Sequence, residues 1–361
     1  MKIPVAMYPF SSDLLPVVKF FEKFQNKYTL KKLFSPPGLG LAGKDAAYAR
    51  NHPNIGITVA DELDMNDSTW EVLLLTRPID SKVSIDSELS DVAESALQAG
   101  KSVVYIDGSG AEIPEKFREL CPSYKEENHG YSWEKGIHID APVILVGGLM
   151  SEADSFEVLL GLAAKLHDNG LYTTCFINHP ICDIFGFHNL GRILNKSNKD
   201  EAQKMAELIA YVKDLEITER PDVILVEAPD AVMRYSDLFP NGFGIRSYMV
   251  CQVIRPDYFI CCVPFKMANG ALMDALSRDF ETRLNVSINA VHVSNLMPDL
   301  TNKMPSLSDI DIIPYVQVNL DSVRIQIEHE GKNSQIPMYD VITEGIDGIY
   351  AILNENMSKK I

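Results

Sequence analysis

The sequence predicts an α/β fold built on parallel, doubly wound sheets, and three observations predict it. Short continuous apolar runs, typical of strands covered on both faces, alternate with stretches whose apolar residues recur at helical spacing. Glycine-containing turns follow several of these runs. A polar stretch without period at 122–140 separates two regions that each show this β-α-β order. We therefore expect two α/β domains.

The first region predicts a Rossmann-like or flavodoxin-like domain over 1–135. Its helices carry apolar residues on one face, and the second stops at Gly100, a helix-ending residue. The predicted elements are, in order, a strand at 3–8, a helix at 13–24, strands at 28–34 and 71–76, a helix at 86–98 and a strand at 101–107.

The second region predicts a P-loop-like α/β domain over 136–305, followed by an α+β extension over 306–361. Pro221 ends the second of its helices, because proline cannot continue a helix. The predicted strands are 143–148, 172–177, 222–227, 258–263 and 288–293, and the helices are 155–168 and 200–215. In the extension, alternating residues at 313–318 and 323–327 predict a hairpin, and 339–354 predicts a closing helix.

Composition and charge exclude several classes of partner. The 361 residues are 46% hydrophobic and 23% charged, an ordinary globular balance, and 33 basic against 50 acidic residues leave a net charge of −17. Nucleic acids and anionic membranes are attracted by clustered positive charge, so neither is an expected partner. The first residues predict a strand rather than a signal peptide. Six cysteines without a C-x-x-C pair predict reduced thiols in a cytoplasmic protein.

The most informative motif follows the strand at 143–148. A phosphate-binding P-loop needs a buried strand, a glycine-rich turn with exposed amides, and a helix that begins at the anion. Aligned on G-x-x-x-x-G-K-[ST], the chain keeps Gly148 and Ser155 but has Ala153 for the second glycine and Asp154 for the lysine. A carboxylate at the lysine position repels phosphate. The alternative is an ordinary tight turn in which Ser151 and Asp154 form a capping box.

A second strand supplies acidic groups for the same sheet edge. The strand at 222–227 ends in Glu227, and Asp230 follows, where P-loop enzymes often place an acid associated with a metal. Ligands of α/β proteins bind at the carboxyl ends of the strands. The sequence thus predicts an altered nucleotide site, with a nucleotide and Mg²⁺ as the cofactors that it would require and no assigned catalytic residue or metal ligand. Its residues are Gly147, Gly148, Asp154, Ser155, Glu227 and Asp230.

Two further motifs carry weaker signals. Residues 38–43 match G-x-G-x-x-G, but a dinucleotide fingerprint belongs after the first strand of its domain and must open a helix. This match follows the second strand, which favours a glycine-rich loop. His179, Cys182, Asp183 and His188 have the donor types of a metal site, but the phenylalanines among them favour a packed connection.

Several segments together resemble a family of clostridial peptide maturation system proteins. They are YPF near the start, FSPPGLGLAGKDA, VGG with DSFEVLLGL, GLYTTCFI, PDVILVEAPDAV and NGFGIRSYMVCQVIRPDYFICCVPF. The resemblance implies a place among genes for ribosomally made, modified peptides. The partners that it implies are a precursor peptide, a radical-SAM maturase and a small acyl-carrier-related protein. It assigns no catalytic residue.

The central region is also similar to P-loop proteins of the dethiobiotin-synthetase kind, which place a strand ending in Glu after the phosphate loop, as Glu227 does here. Two functions remain open. The first is an accessory component that binds a precursor peptide, carrier protein or maturase. The second is an ATP- or GTP-dependent enzyme in which Ser155 and Glu227 place Mg²⁺ and Asp154 is a metal-associated or general-base carboxylate.

Overall fold

A computed structural model describes residues 2–36, 39–76, 86–106, 138–150, 153–236, 241–299 and 315–358. Within them the chain is a mixture of helices and parallel sheets, which confirms the predicted α/β class. It divides into two compact units. The first unit is Met1–Asn128 with His179–Asn195, and the second unit is His129–Asn178 with Lys196–Ile361.

The first unit is built on a parallel five-stranded sheet. Its strands lie in the order β3-β2-β1-β4-β5, which is the Rossmann order rather than the flavodoxin order of 2-1-3-4-5. Its elements are β1 (Ile3–Tyr8), α1 (Leu15–Phe24), β2 (Tyr28–Phe34), β3 (Val59–Ala60), β4 (Val72–Thr76), α2 (Asp86–Gln98), β5 (Ser102–Ile106), β8 (His188–Asn189) and α4 (Gly191–Leu194).

The core of the first unit follows from its apolar strands. All five residues of β4 are buried, as a central strand covered on both faces requires. Trp70 is fully buried, and the Lys101 ammonium lies over its ring at 4.4 Å from the centroid. The same ammonium donates to the Trp70 carbonyl oxygen at 2.7 Å. This lysine therefore fixes the chain before β4 to the start of β5.

In the second unit, six strands lie in the order β14-β11-β10-β6-β9-β7, and neighbouring strands among them pair in parallel. A separate antiparallel pair, β12 with β13, follows β11. The elements are β6 (Val143–Gly148), α3 (Ser155–Asp168), β7 (Thr173–Ile177), α5 (Glu201–Glu219), β9 (Val223–Glu227), α6 (Ile245–Ile254), β10 (Tyr258–Pro264), α7 (Gly270–Leu284), β11 (Ile288–Ser294), β12 (Leu296–Pro298), β13 (Tyr315–Gln317), α8 (Leu320–Glu330), β14 (Met338–Tyr339), α9 (Val341–Glu344) and α10 (Asp347–Ser358).

Local sequence explains where these helices begin and end. Asp200 accepts the Gln203 amide while the Gln203 side chain accepts the Asp200 amide, so α5 begins with a capping box. It runs past the predicted end at 215 and stops at Arg220, which has a left-handed conformation directly before Pro221. Helix α3 has the predicted bounds, and all but three of its residues are buried.

The predicted hairpin in the extension is wrong. Residues 323–327 lie within α8, because the Asn319 side chain accepts the Asp321 amide at 2.8 Å and caps a helix instead of forming a turn. The β-branched residues Val323, Ile325 and Ile327 alternate with polar residues, as is typical of a strand. They lie in a helix instead, and only Val323 is buried there. The predicted closing helix is also divided, because Gly345 at φ 80° separates α9 from α10.

Among the described residues, no helix combines the length and apolarity that a membrane span needs. Four cysteines within the described chain, Cys175, Cys251, Cys261 and Cys262, are buried free thiols. They pack as small apolar side chains, which agrees with the prediction of reduced thiols.

Candidate functional site

The candidate site lies at the carboxyl edge of the second unit's sheet. Strand β6, which carries the glycine-rich loop, pairs with β9 on one side and β10 on the other. Val146 is opposite Glu227, and Gly148 is opposite Cys262. The loop and Glu227 are therefore brought to the same edge, as the sequence predicts.

Both glycines at the end of β6 are needed for close packing. A Cβ atom on Gly147 would lie 2.6 Å from the Ala228 Cβ, inside the distance that real Cβ atoms show. A Cβ on Gly148 would lie 2.2 Å from the Met150 carbonyl oxygen, which is backbone and cannot rotate away. The loop thus folds back tightly on its own strand.

Two amides of the loop donate to protein carbonyls. The Leu149 amide donates to the Cys262 carbonyl oxygen at 2.9 Å, and the Ala153 amide donates to that of Met150 at 3.2 Å. In a working P-loop such amides face the phosphate. Ser151 lies outside the described residues, so the predicted capping box stays a prediction; the residue at the N-cap of α3 is Asp154.

Asp154 occupies the lysine position with an unusual backbone. Its φ of 63° and ψ of 13° place it in the left-handed region, which is uncommon for a residue other than glycine. Its side chain is buried and does not cap the helix. Instead, Oδ2 lies 3.4 Å from Nε2 of His292 on β11, which is also fully buried. The position that aligns with the P-loop lysine therefore holds a carboxylate with a protein partner.

The surroundings of His292 fix which nitrogen carries its proton. The Val341 amide donates to Nδ1 at 3.2 Å, so Nδ1 is unprotonated and the neutral ring carries its hydrogen on Nε2. That hydrogen points to Asp154, whose carboxylate accepts it. Helix α9 thereby orients His292, and His292 orients Asp154.

Glu227 is the second acid at this edge. Its Oε2 accepts the Asn178 amide at 3.0 Å, and the Ser155 hydroxyl bonds to the same carboxyl group. Burial disfavours the charged form and outweighs both hydrogen bonds, which raises the pKa of Glu227 to about 7. Near neutral pH this carboxyl group therefore exchanges its proton.

Cys262 completes a group of buried polar side chains. Burial and the neighbouring Cys261, Asp154 and Glu227 raise the pKa of the Cys262 thiol well above its usual value, so the thiol stays neutral. We name this group the edge cluster. Its members are Asp154, Ser155, Glu227, Cys262 and His292.

Charge decides what the edge cluster can bind. At an effective dielectric constant of 20, two unit charges 4 Å apart interact by about 4 kcal/mol. A lysine at position 154 would attract each phosphate charge by about this amount, whereas the carboxylate of Asp154 repels it. The edge cluster therefore provides acidic and neutral groups where the aligned P-loop has a cation.

Asp230 takes part in a different contact. Its carbonyl oxygen accepts the Ser247 hydroxyl at 2.9 Å, and its Oδ2 lies 3.9 Å from Nε of Arg246, both on α6. Of the two acids predicted for the end of β9, Glu227 joins the edge cluster, whereas Asp230 anchors the start of α6.

The two weaker motifs lie in the first unit. Gly38 is outside the described residues; Gly40 and Gly43 have positive φ and open no helix, so a loop forms here. Its shape depends on Asp45, whose carboxylate accepts amides from Ala47, Ile55 and Gly56. Burial opposes the charge of Asp45, but these amides lower its pKa below the usual value.

In the His179–His188 segment, the side chain of Cys182 lies outside the described part of the structure. Asp183 pairs with Arg192, and Phe185 packs edge-on against Phe21. Burial and the charge of Arg50 lower the pKa of His179 to about 3, so this imidazole stays neutral. These contacts favour the packed connection.

Sequence reasoning missed His292 and Cys262. Both lie near the carboxyl ends of apolar strands. A polar residue within such an apolar run is the signal that could have identified them as site residues. The contact itself joins residues 138 positions apart, which no local pattern encodes.

Comparison with known proteins supports the fold. No protein-family model and no curated protein matches the chain. A solved structure of a DUF1611 family protein from Anabaena variabilis matches 98% of this chain and 100% of its own, with a TM-score of 0.61 and 10% sequence identity. At 10% sequence identity, this similarity supports a shared fold and nothing further. The hydrogenase maturation factor HypB from Archaeoglobus fulgidus matches 62% of this chain and 93% of its own at 11% identity, and its TM-score of 0.28 supports no argument.

The close approach at Gly148 predicts a stability effect. Gly148→Ala should destabilise the protein by about 2 kcal/mol, because the new methyl group overlaps a backbone oxygen and the loop must shift. Gly331→Ala is the control, since no atom lies within 4 Å of a Cβ there. Thermal unfolding measures both. Equal midpoints for the two variants would contradict the tight loop.

The raised pKa of Glu227 predicts a pH-dependent stability. Below pH 4.5 the residue is protonated in both folded and unfolded chains, so it has no effect. As the pH rises towards 7, only the unfolded chain ionises freely, and folding becomes less favourable by about 3 kcal/mol above pH 7. Glu227→Gln should therefore raise the unfolding midpoint at pH 8 and leave it nearly unchanged at pH 4.5.

The control for this measurement is Glu281→Gln, which changes an exposed glutamate on α7. It should shift the midpoint little at either pH. A Glu227→Gln variant that shifts the midpoint equally at both pH values would show that the pKa of Glu227 is the same in the folded and unfolded chains, and would contradict this account.

Proposed function

We propose that this protein is an accessory component of a modified-peptide maturation system and that it binds a polypeptide partner without hydrolysing nucleotide. The single observation that carries the proposal is the contact of Asp154 with His292 at the position of the P-loop lysine. A loop whose anchor is a buried acid has lost the attraction on which triphosphate binding depends.

Other features support a binding role over nucleotide chemistry. The Leu149 amide donates to the Cys262 carbonyl oxygen on β10 and the Ala153 amide to that of Met150, so both amides are engaged by the protein itself. The resemblance of the sequence to clostridial peptide maturation proteins suggests the partners: a precursor peptide, a radical-SAM maturase or an acyl-carrier-related protein. The net charge of −17 would accelerate association with a basic partner segment.

A second candidate is an ATP- or GTP-dependent enzyme with an altered phosphate loop. The observation that favours it is Glu227, whose pKa of about 7 suits a group that gives and takes protons near neutral pH. Here Ser155 and Glu227 would help to hold Mg²⁺, and Asp154 would act as a base. This candidate requires a conformation in which the loop releases its internal hydrogen bonds.

Nucleotide titration separates the two candidates. We expect no saturable binding of Mg²⁺-ATP or Mg²⁺-GTP at millimolar concentrations, measured by calorimetry, and no release of phosphate. The variants Asp154→Ala and Glu227→Gln should behave in the same way. Saturable binding that either variant abolishes would contradict the accessory role and support the enzyme.

Capture experiments test the accessory role directly. The purified protein should retain at least one of the co-encoded precursor peptide, maturase or carrier protein at micromolar concentration. If it binds none of these neighbours in either the presence or the absence of nucleotide, the proposed function is wrong.

A further inference from the structure

Three large apolar side chains are exposed within six residues at the start of α6. Phe243 is 55% exposed, Ile245 56% and Tyr248 48%. The segment is held in place, because Gly244 at φ 68° would bring a Cβ to 2.6 Å from the Val232 carbonyl oxygen. Exposed apolar groups on a fixed backbone are typical of a binding surface.

The opposite side of α6 is firmly packed. Ser247, Val250, Cys251 and Ile254 are buried, and the Ser247 hydroxyl donates to the Asp230 carbonyl oxygen at 2.9 Å. The outward side carries Ile245, Tyr248, Gln252 and Arg255, whose spacing places them on one face of the helix. We name these four residues the α6 face.

A groove of about 540 Å³ adjoins the α6 face. Tyr248, Cys251, Gln252 and Arg255 of α6 line one side, and the end of α7 lines the other with Thr282, Arg283 and Asn285. The Gln252 amide donates to the Arg283 carbonyl oxygen at 3.0 Å, which fixes the two helix ends relative to each other. The groove is therefore preformed.

The charge of the groove is opposite to that of the chain. Arg255 and Arg283 line it in a protein with net charge −17. Arg283 pairs with Asp279, whereas Arg255 has no acidic partner in the part of the chain that the structure describes. An exposed arginine beside an exposed tyrosine is a combination enriched at protein–protein contacts, and it can pair with a carboxylate.

We propose that the α6 face and its groove bind an extended polypeptide segment that carries apolar side chains and, farther along, an acidic residue. This inference rests on the proposed function. Apolar side chains of the peptide pack on Ile245 and Tyr248, and its carboxylate pairs with Arg255. The ten helical residues Ile245–Ile254 span about 15 Å, which an extended peptide covers in about five residues.

Synthetic peptides test this arrangement. The probe is a fluorescein-labelled twelve-residue peptide with Phe-Leu and Glu-Glu about five residues apart, made in both orders, and binding is measured by fluorescence anisotropy. We expect saturable binding for one order. Replacing Glu-Glu by Lys-Lys, or Phe-Leu by Ser-Ser, should weaken binding at least tenfold.

Variants of the protein with matched controls locate the site. Arg255→Glu and Ile245→Ser should each weaken binding of this probe, and of the co-encoded precursor peptide, at least tenfold. Arg220→Glu is the control for the first, because Arg220 also ends a helix in the left-handed conformation. Ile217→Ser is the control for the second, because Ile217 is likewise exposed on a helix. Both controls should change affinity less than twofold.

The outcomes distinguish this inference from the function on which it rests. If co-encoded partners bind but Arg255→Glu and Ile245→Ser keep wild-type affinity, the groove assignment is wrong and the accessory role stands. If no co-encoded partner binds, the accessory role itself fails. A dimer that Tyr248→Glu dissociates in light scattering would show that a second copy of the chain covers the α6 face, and would overturn the peptide assignment.

Discussion

The buried contact between Asp154 and His292 is the interaction on which the candidate site depends. It joins the start of α3 to β11, and the Val341 amide extends it to α9. A hydrogen bond to a buried acid offsets part of the cost of its burial, so losing His292 would make the burial of Asp154 less favourable. In the alignment with a P-loop, the same contact lies where a phosphate site requires a cation. One pair of residues thus determines both the local structure and the ligands that the loop disfavours.

The edge cluster tolerates two acids because their environments differ. Asp154 accepts a hydrogen bond from a neutral imidazole, whereas Glu227 lies in a site where burial prevails and its pKa rises to about 7. Separating two nearby carboxyl groups in this way avoids two full buried charges near neutral pH. The neutral Cys262 thiol adds no third charge.

The sequence predicts the sheets well and the site in part. Continuous apolar runs predicted the positions of β6, β9 and β10, because strands of a parallel sheet that is covered on both faces consist almost entirely of apolar residues. The glycine-rich turn and Glu227 were predicted together because neighbouring parallel strands end at one edge. His292 was missed because its role depends on a contact between distant residues.

Helix α6 was missed for a physical reason. Its apolar residues lie on both faces, since Ile245 and Tyr248 are exposed while Val250 and Ile254 are buried, so no single stripe marks it as a helix. The prediction of a hairpin at 313–327 was wrong, because the Asn319 side chain caps a helix and this stabilisation outweighs the strand preference of the alternating β-branched residues. Exposed apolar residues on a helix depart from the pattern that folding alone produces.

A double-mutant cycle on Asp154→Asn and His292→Gln measures the central contact directly. The free energy of unfolding, from denaturant titration of the two single variants, the double variant and the wild type, gives the coupling between the two side chains. We predict a coupling of about 1 kcal/mol or more, because each residue is the other's buried hydrogen-bond partner. Strictly additive effects would contradict the account, since they would show that Asp154 is not held by His292.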